Sequence, residues 1–341
     1  MIPYIEPELT SVTNFYLEDY MTDEDLEQLV SLIEEGFDQE AFDLFINEYM
    51  ISPSIKFQDL MSDYLGMVET GPMREKDKDA LSRNITLMNL GLSAVLLNNF
   101  SKYLNSSYSK NIFEGSGITD AMTKKAILVE VETVYEQLLS GSLSRTQSFI
   151  LSSLRTMQRE LIAENLLLKN SKLTGEAIEN EIIRFKNSLR IKYPEIYKAI
   201  NKGNVLVTSR FIDGAESIRH YKLDYYIDLV TRTAILDVDR NSNMISALAS
   251  GERVVNFYLS DPRQVKKDRE ICQEILATLT LGESILALDA EAASILGIMT
   301  VDEAKSTPDY SFGPYCRHSV KRCSAEYIKQ INDLLGAKNG N

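Results

Sequence analysis

Apolar residues recur at helical spacing along most of this chain, and that pattern limits its first two hundred residues to helices packed on helices. In TDEDLEQLVSLIEEG, Thr22 is placed to cap a helix, acids fill the first turn where the helix dipole favours them, and Gly36 closes it. Leu26, Leu29, Val30, Leu32 and Ile33 then make one buried stripe. Two short helices follow, over 39–49 and 54–68, before Gly71-Pro72 breaks the chain. Residues 74–104 and 119–140 give the next helical pair, the second capped by Thr119. SRTQSFILSSLRTMQRELIAENLLLKN, residues 144–170, predicts one long helix; another follows over 174–192, and Pro194 punctuates.

Charge divides the chain more sharply than hydropathy does. Residues 1–70 carry seventeen Asp or Glu and one basic residue, Lys56, a net of −16. The remaining 271 residues carry 33 acids and 35 bases, a net of +2. An acidic arm of this kind is repelled by DNA and attracted to a basic partner surface, or simply keeps a helical face solvated. The apolar stretches nearest to membrane-spanning length, 87–97 and 150–168, are broken by Asn, Ser, Arg or Glu, so no membrane partner is expected. MIPYIEPELT has neither a basic nor an apolar leader segment, and three cysteines are too few for a disulfide scaffold. Synthesis in a reducing cytoplasm is the expectation.

Between Arg184 and Lys222 nine basic residues stand among three acids, with Tyr193, Tyr197 and Tyr221 nearby. Arg184, Lys186, Arg190 and Lys192 are the candidates for contact with nucleic-acid phosphates. Their spread along the segment equally suits a face that meets another protein's acids. NVLVTSRFIDGAESIRHYKL then reads as a β-hairpin turning at Asp213-Gly214. A helix through 223–250 and a strand at RVVNFYLS, 253–260, come next.

Several motif-like stretches fail on chemistry. GSGIT before the helix at 119 lacks the P-loop lysine and follows no strand, so it is a weak anion site and a better helix connection. DVDRNSN, 237–243, starts like a calcium loop, but Ser242 and Leu248 stand where a glycine and a bidentate glutamate are needed, leaving a solvated helix face. His220 and His318 are the only histidines, and no hydrolase motif surrounds them. Glu130 and Glu132 are two apart on a predicted helix and do not face each other. No catalytic residue is assigned, and the chain is expected not to be an enzyme.

SFGPYCRHSVKRCS, 311–324, concentrates the remaining unusual chemistry. Thiolate and imidazole are the ligands zinc prefers, in tetrahedral sets, and Cys272, Cys316, His318 and Cys323 would make one. Cys316 and His318 share a side only in extended backbone. Buried small cysteines and a hydrogen-bonded loop histidine are the alternative.

The C-terminal third resembles the phage minor capsid and head morphogenesis proteins of the phage Mu type. The resemblance rests on FIDGAESIRHYKLDYYIDLVTRTA at 211–234, VVNFY, DREIC at 268–272 and FGPYCRHSV at 312–320, in that order. The last stretch is similar to the family's closing HPxCRH or HPxCRC pattern. By that match Asp213 and Gly214 form the turn, Arg232 and Thr233 the helix motif, Cys272 the earlier cysteine, and Pro314, Cys316, Arg317 and His318 the closing motif. The chain departs from the pattern at Gly313, where the family has histidine, at Ala234, and in having one cysteine where a Cys-x-x-Cys pair is common.

The expected fold is mainly α: an elongated helical body with a small α+β C-terminal unit. Three segments are expected: an acidic helical module over 1–70, a helical body over 74–203, and the minor-capsid-like unit over 204–341. The resemblance implies a virion structural protein, assembled in the host cytoplasm in several copies. Portal and major capsid proteins are its implied partners, packaged DNA a further contact, and zinc the one cofactor. An enzyme delivered with the virion or acting in the host, and a cytoplasmic helical adaptor, are the alternative functions.

Overall fold

A computed structural model describes residues 20–69, 75–106, 112–114, 116–169, 176–195, 197, 204–210, 216–259, 270–306, 312, 316 and 318–339. The fold is mainly α with a small sheet region near the C-terminus. Its residues cluster into two compact units that interleave along the chain: 1–100 with 136–228, and 101–135 with 229–341. The three segments expected above follow one another in sequence. Interleaving is invisible to charge blocks and chain breakers, because one long helix can belong to different packing neighbourhoods at its two ends.

In the first unit, α1 (Asp23–Glu34) begins with a capping box in which Thr22 and Asp25 satisfy each other's backbone N–H groups. It buries Leu29 and Ile33. Then α2 (Asp38–Leu44) passes through a π-helical turn, Phe45–Ile51, into α3 (Ser52–Glu69). The two separate short helices expected over 39–68 are therefore one continuous run. Pro53, which has no N–H to donate, sits just beyond the π turn, where the helical ladder is already offset. Asn99 on α4 (Glu75–Asn105) ties this region together: its Oδ1 accepts from Met21 N–H at 2.8 Å and its Nδ2 donates to the Tyr49 carbonyl at 2.8 Å.

Residues 79–104 of α4 are long and apolar enough to cross a membrane by length and composition, which the interrupted-stretch reading did not anticipate. Of the most apolar window, 56% is buried within the protein. Asn84, Asn89 and Asn99 are buried along it beside Ile85, Met88 and Leu92, the pattern of a core helix.

The helices expected over 119–140 and 144–170 are a single helix, α5 (Ala121–Lys169). Gly141 costs only about 1 kcal/mol in a helix interior. Ser142, beside it, is buried and within 2.8 Å of the Tyr226 hydroxyl. The cap of α5 is Asp120, which accepts from Thr123 N–H at 2.6 Å and Met122 N–H at 3.3 Å, rather than Thr119. Those are the backbone donors that an anion at GSGIT would need, so the glycine loop is a connection. Helix α6 (Glu176–Lys192) precedes the expected hairpin of β1 (Asn204–Arg210) and β2 (Glu216–Lys222), paired from Asn204↔Lys222 to Arg210↔Glu216. Asp213 and Gly214 lie outside the described residues. Thr146 on α5 holds the hairpin by accepting from Leu206 N–H at 2.9 Å.

The second unit is built on an antiparallel sheet of order β4-β5-β3-β6. Its strands are β3 (Val254–Leu259), β4 (Leu279–Thr280), β5 (Glu283–Ala287) and β6 (His318–Lys321). Side chains alternate across β3, so Val255 and Phe257 face one core while Val254 faces another. The first core is closed by Ala247 on α7 (Leu223–Ala249), Ile271 and Ile275 on α8 (Glu270–Ala277), and Val301 and Ala304 on α10 (Val301–Ser306). The second is closed by Ala292 on α9 (Ala290–Leu296) and by Tyr327, Ile331 and Leu335 on α11 (Ala325–Asn339). Ser324 caps α11 as expected, accepting from Tyr327 N–H at 3.2 Å, but the helix continues through Gly336 instead of ending there.

The β4–β5 hairpin was not legible, because its turn is Leu281-Gly282 rather than Asn-Gly or Asp-Gly. Leu281 has φ +50° and Gly282 φ +87°, the left-handed pair a two-residue hairpin turn requires. Leucine is strained there, whereas asparagine tolerates the region. Leu281→Asn is expected to stabilise the protein by up to about 1 kcal/mol, by relieving the cost of a left-handed leucine. A urea midpoint at or below that of the wild type would contradict this assignment of the turn.

Candidate metal centre

Cys272, Cys316 and His318 meet in the first core of the second unit, their ligand atoms all within 4.8 Å of one another. Cys272 comes from α8, whose apolar positions Ile271 and Ile275 turn that helix face toward the sheet. His318 opens β6, and Cys316 lies two residues before it in non-helical backbone. This is the arrangement in which residues two apart share a side. All three are buried.

Two of the three spacings match a tetrahedral ion, and the third, from Cys272 to His318, is within 4.8 Å. The sulfurs of Cys272 and Cys316 are 3.9 Å apart, and Cys316 Sγ is 3.6 Å from His318 Nδ1. Zinc with Zn–S about 2.3 Å and Zn–N about 2.05 Å at tetrahedral angles sets these edges at about 3.8 and 3.6 Å. The Cys272 thiol, then His318 and the backbone N–H groups of His318 and Phe312, hold Cys316 well below the ordinary thiol range, although burial opposes them. A thiolate in that position is what a soft cation requires. The described residues of the trio can thus hold a metal ion.

Cys323 does not join them. It packs in the second core with Val254, Ile285 and Tyr327, on the other side of the sheet. Burial first, then the charges of Glu283 and Glu252, push its thiol up to about 12. The four-ligand set expected from the sequence is corrected to three. The physical reason is the two-residue period of β6, which places His318 and Val320 toward the first core, while the chain beyond the strand turns Cys323 into the second.

The residue that organises the centre is Arg240, which the sequence reading left on a solvated face. It is the largest fully buried side chain among the described residues, at 2% exposure. Its Nε and Nη2 donate to the His318 carbonyl at 3.2 and 2.9 Å, and Nη1 donates to the Phe312 carbonyl at 3.3 Å and to Asp237 at 2.6 Å. The guanidinium also lies 4.9 Å from the Phe312 ring centroid. Phe312 meets Phe257 edge-on at 5.6 Å, and Phe257 stacks on the His318 ring at 4.8 Å, nearly parallel at 8°. Arg240 therefore fixes both the backbone and, through two aromatic rings, the imidazole of a candidate ligand. Asp239 is equally occupied, accepting from Ser319 Oγ at 2.6 Å. The 237–243 stretch is a structural brace rather than a solvated surface. The one signal for it in the sequence was an arginine set among acids and small polar residues.

Other expected residues are placed elsewhere. Thr233 bonds the Leu229 carbonyl of its own helix at 2.7 Å, and neither it nor Arg232 belongs to the cysteine–histidine trio. Gly313, Pro314 and Arg317 lie outside the described residues. In the first unit, Arg184 pairs with Glu181 at 3.2 Å, Lys192 with Glu160 at 2.6 Å, and Arg190 lies 5.8 Å from the Tyr197 ring. The Lys186 side chain is outside the described set. In-chain acids thus share this segment with the cations proposed for phosphate contact.

No family model matches this chain, and no curated protein or solved structure matches it either.

Proposed function

We propose that this chain is a phage virion structural protein, a minor head protein that helps assemble or complete the capsid near the portal, with zinc closing its C-terminal unit. One observation carries the reading. Cys272 and the Cys316–His318 pair, 44 residues apart in sequence, are where the resemblance puts its two cysteine motifs, and they meet at metal-ligand spacing. From residue 204 onward the elements run hairpin, helix bearing Arg232 and Thr233, strand, cysteine helix and, after the β4–β5 hairpin and two short helices, closing strand, the order in which the resemblance has its matching stretches.

The role of zinc is mechanical. Bridging Cys272 on α8 to the segment entering β6, it cross-links one face of the sheet and contributes folding energy directly. The acidic residues of 1–70 are the element suited to a basic surface on portal or capsid protein, and the basic stretch around 184–222 is the element suited to acids of a partner or to packaged DNA.

Quantitative mass spectrometry on purified particles of the phage or prophage encoding this chain tests the reading. A fixed ratio of this protein to portal protein is expected. Its absence from particles that otherwise contain portal and capsid protein would reject it.

A further inference from the structure

We propose that Cys272 and Cys316 form an oxidative modification site: oxidation closes the two sulfurs that hold the metal into a disulfide and so releases the ion, making a metal cross-link and a covalent one alternative clasps at one place. The inference rests on the zinc reading above and adds the regulation of that centre.

The geometry singles out one pair. The Cys272 and Cys316 sulfurs are 3.9 Å apart, while Cys323 is in the opposite core. A disulfide needs about 2.05 Å between sulfurs. The remaining approach, roughly 2 Å, is a movement of the side chains between two fastened backbone segments. Arg240 fastens the Phe312 and His318 carbonyls on both sides of Cys316, and Ile271 and Ile275 anchor the helix carrying Cys272. Neither anchor involves a sulfur, so both survive a change from metal to disulfide.

The chemistry balances with hydrogen peroxide as oxidant. Cys316, at 7% exposure the more accessible of the two, attacks the O–O bond, forming an S–O bond and releasing hydroxide. The Cys272 thiolate then attacks the Cys316 sulfur, forming S–S and displacing a second hydroxide. Two thiols lose two electrons and two protons, the peroxide gains them, and two waters leave. With both sulfurs engaged in each other, the ion keeps only His318 and is released. A protein made in a reducing cytoplasm and later exposed outside it would pass from the first clasp to the second.

Full-length protein, loaded with zinc, is treated with hydrogen peroxide. Zinc release is followed with a chromophoric indicator, thiols are counted after denaturation, and linked peptides are mapped. The expected result is a fall from three thiols to one, a Cys272–Cys316 peptide, and zinc released in step with the lost thiols. The variant Cys323→Ser is expected to give the same linkage. A Cys316–Cys323 or intermolecular linkage, or three surviving thiols in protein that did bind zinc, overturns this inference and leaves the zinc reading standing. Protein that holds no zinc before peroxide is added overturns the zinc reading itself.

Discussion

Cys316→Ser is expected to abolish stoichiometric metal binding: wild-type protein purified without a histidine tag should carry about one zinc per chain, and the variant close to none. The serine hydroxyl stays protonated at neutral pH and is a poor ligand for a soft ion, so two ligands remain, the Cys272 sulfur on α8 and the His318 imidazole on β6. Cys323 cannot substitute, because it lies across the sheet and its thiol is pushed up to about 12. Stability should follow occupancy. A metal present at 100 to 1,000 times its Kd adds roughly 3–4 kcal/mol to the folded state. For a unit of this size that is roughly a 6–16 °C change in Tm. Chelator should lower the wild-type melting temperature by that order and leave Cys316→Ser unmoved. Protons compete for the same ligands, so zinc affinity is expected to weaken as pH falls. A wild type free of zinc, or a Cys316→Ser variant that retains it, would remove the metal from this account.

The sequence made most of the helices legible, since their apolar stripes survive in the structure, as at Leu29 and Ile33 in α1. It misplaced their joints. Gly141 and Pro53 look like breakers, but each sits where the local ladder tolerates it, so neighbouring helices fuse. The sheet was only partly readable: β3 announced itself through VVNFY, while β4 and β5 meet at a Leu-Gly turn that no turn rule selects. For the candidate centre, residue chemistry identified Cys272, Cys316 and His318, because few side chains can do what they do. It could not separate Cys323 from them, since that depends on which face of a strand the chain leaves. Arg240 was missed for a related reason. A charged residue flanked by acids reads as solvated until tertiary contacts supply carbonyls for it to hold.

Arg240→Met is expected to be the most damaging substitution outside the ligands, costing roughly 3–5 kcal/mol. Methionine fills similar volume, and replacing a buried charge by an apolar group is often harmless when its partners are replaced too. That compensation is not possible here. Two of the three acceptors are the backbone carbonyls of Phe312 and His318, which no mutation removes. Each hydrogen bond that a buried carbonyl loses from the charged guanidinium is worth about 1.5–3 kcal/mol, and Asp237 loses its Arg240 partner as well. Arg240→Lys should recover only part of the loss, since a single ammonium cannot reproduce the fork that spans both carbonyls. Arg184→Met is the contrasting control: its partner Glu181 is on the same helix and Arg184 is 80% exposed, so the expected change is under about 0.5 kcal/mol. Urea unfolding of the three variants measures the energies, and zinc competition against a chromophoric chelator measures the consequence for the centre. Losing the support of a ligand typically weakens metal affinity 10–100-fold. Arg240→Met within about 0.5 kcal/mol of the wild type, with unchanged zinc affinity, would mean that the guanidinium only fills space and that the ligand segment holds its shape without it.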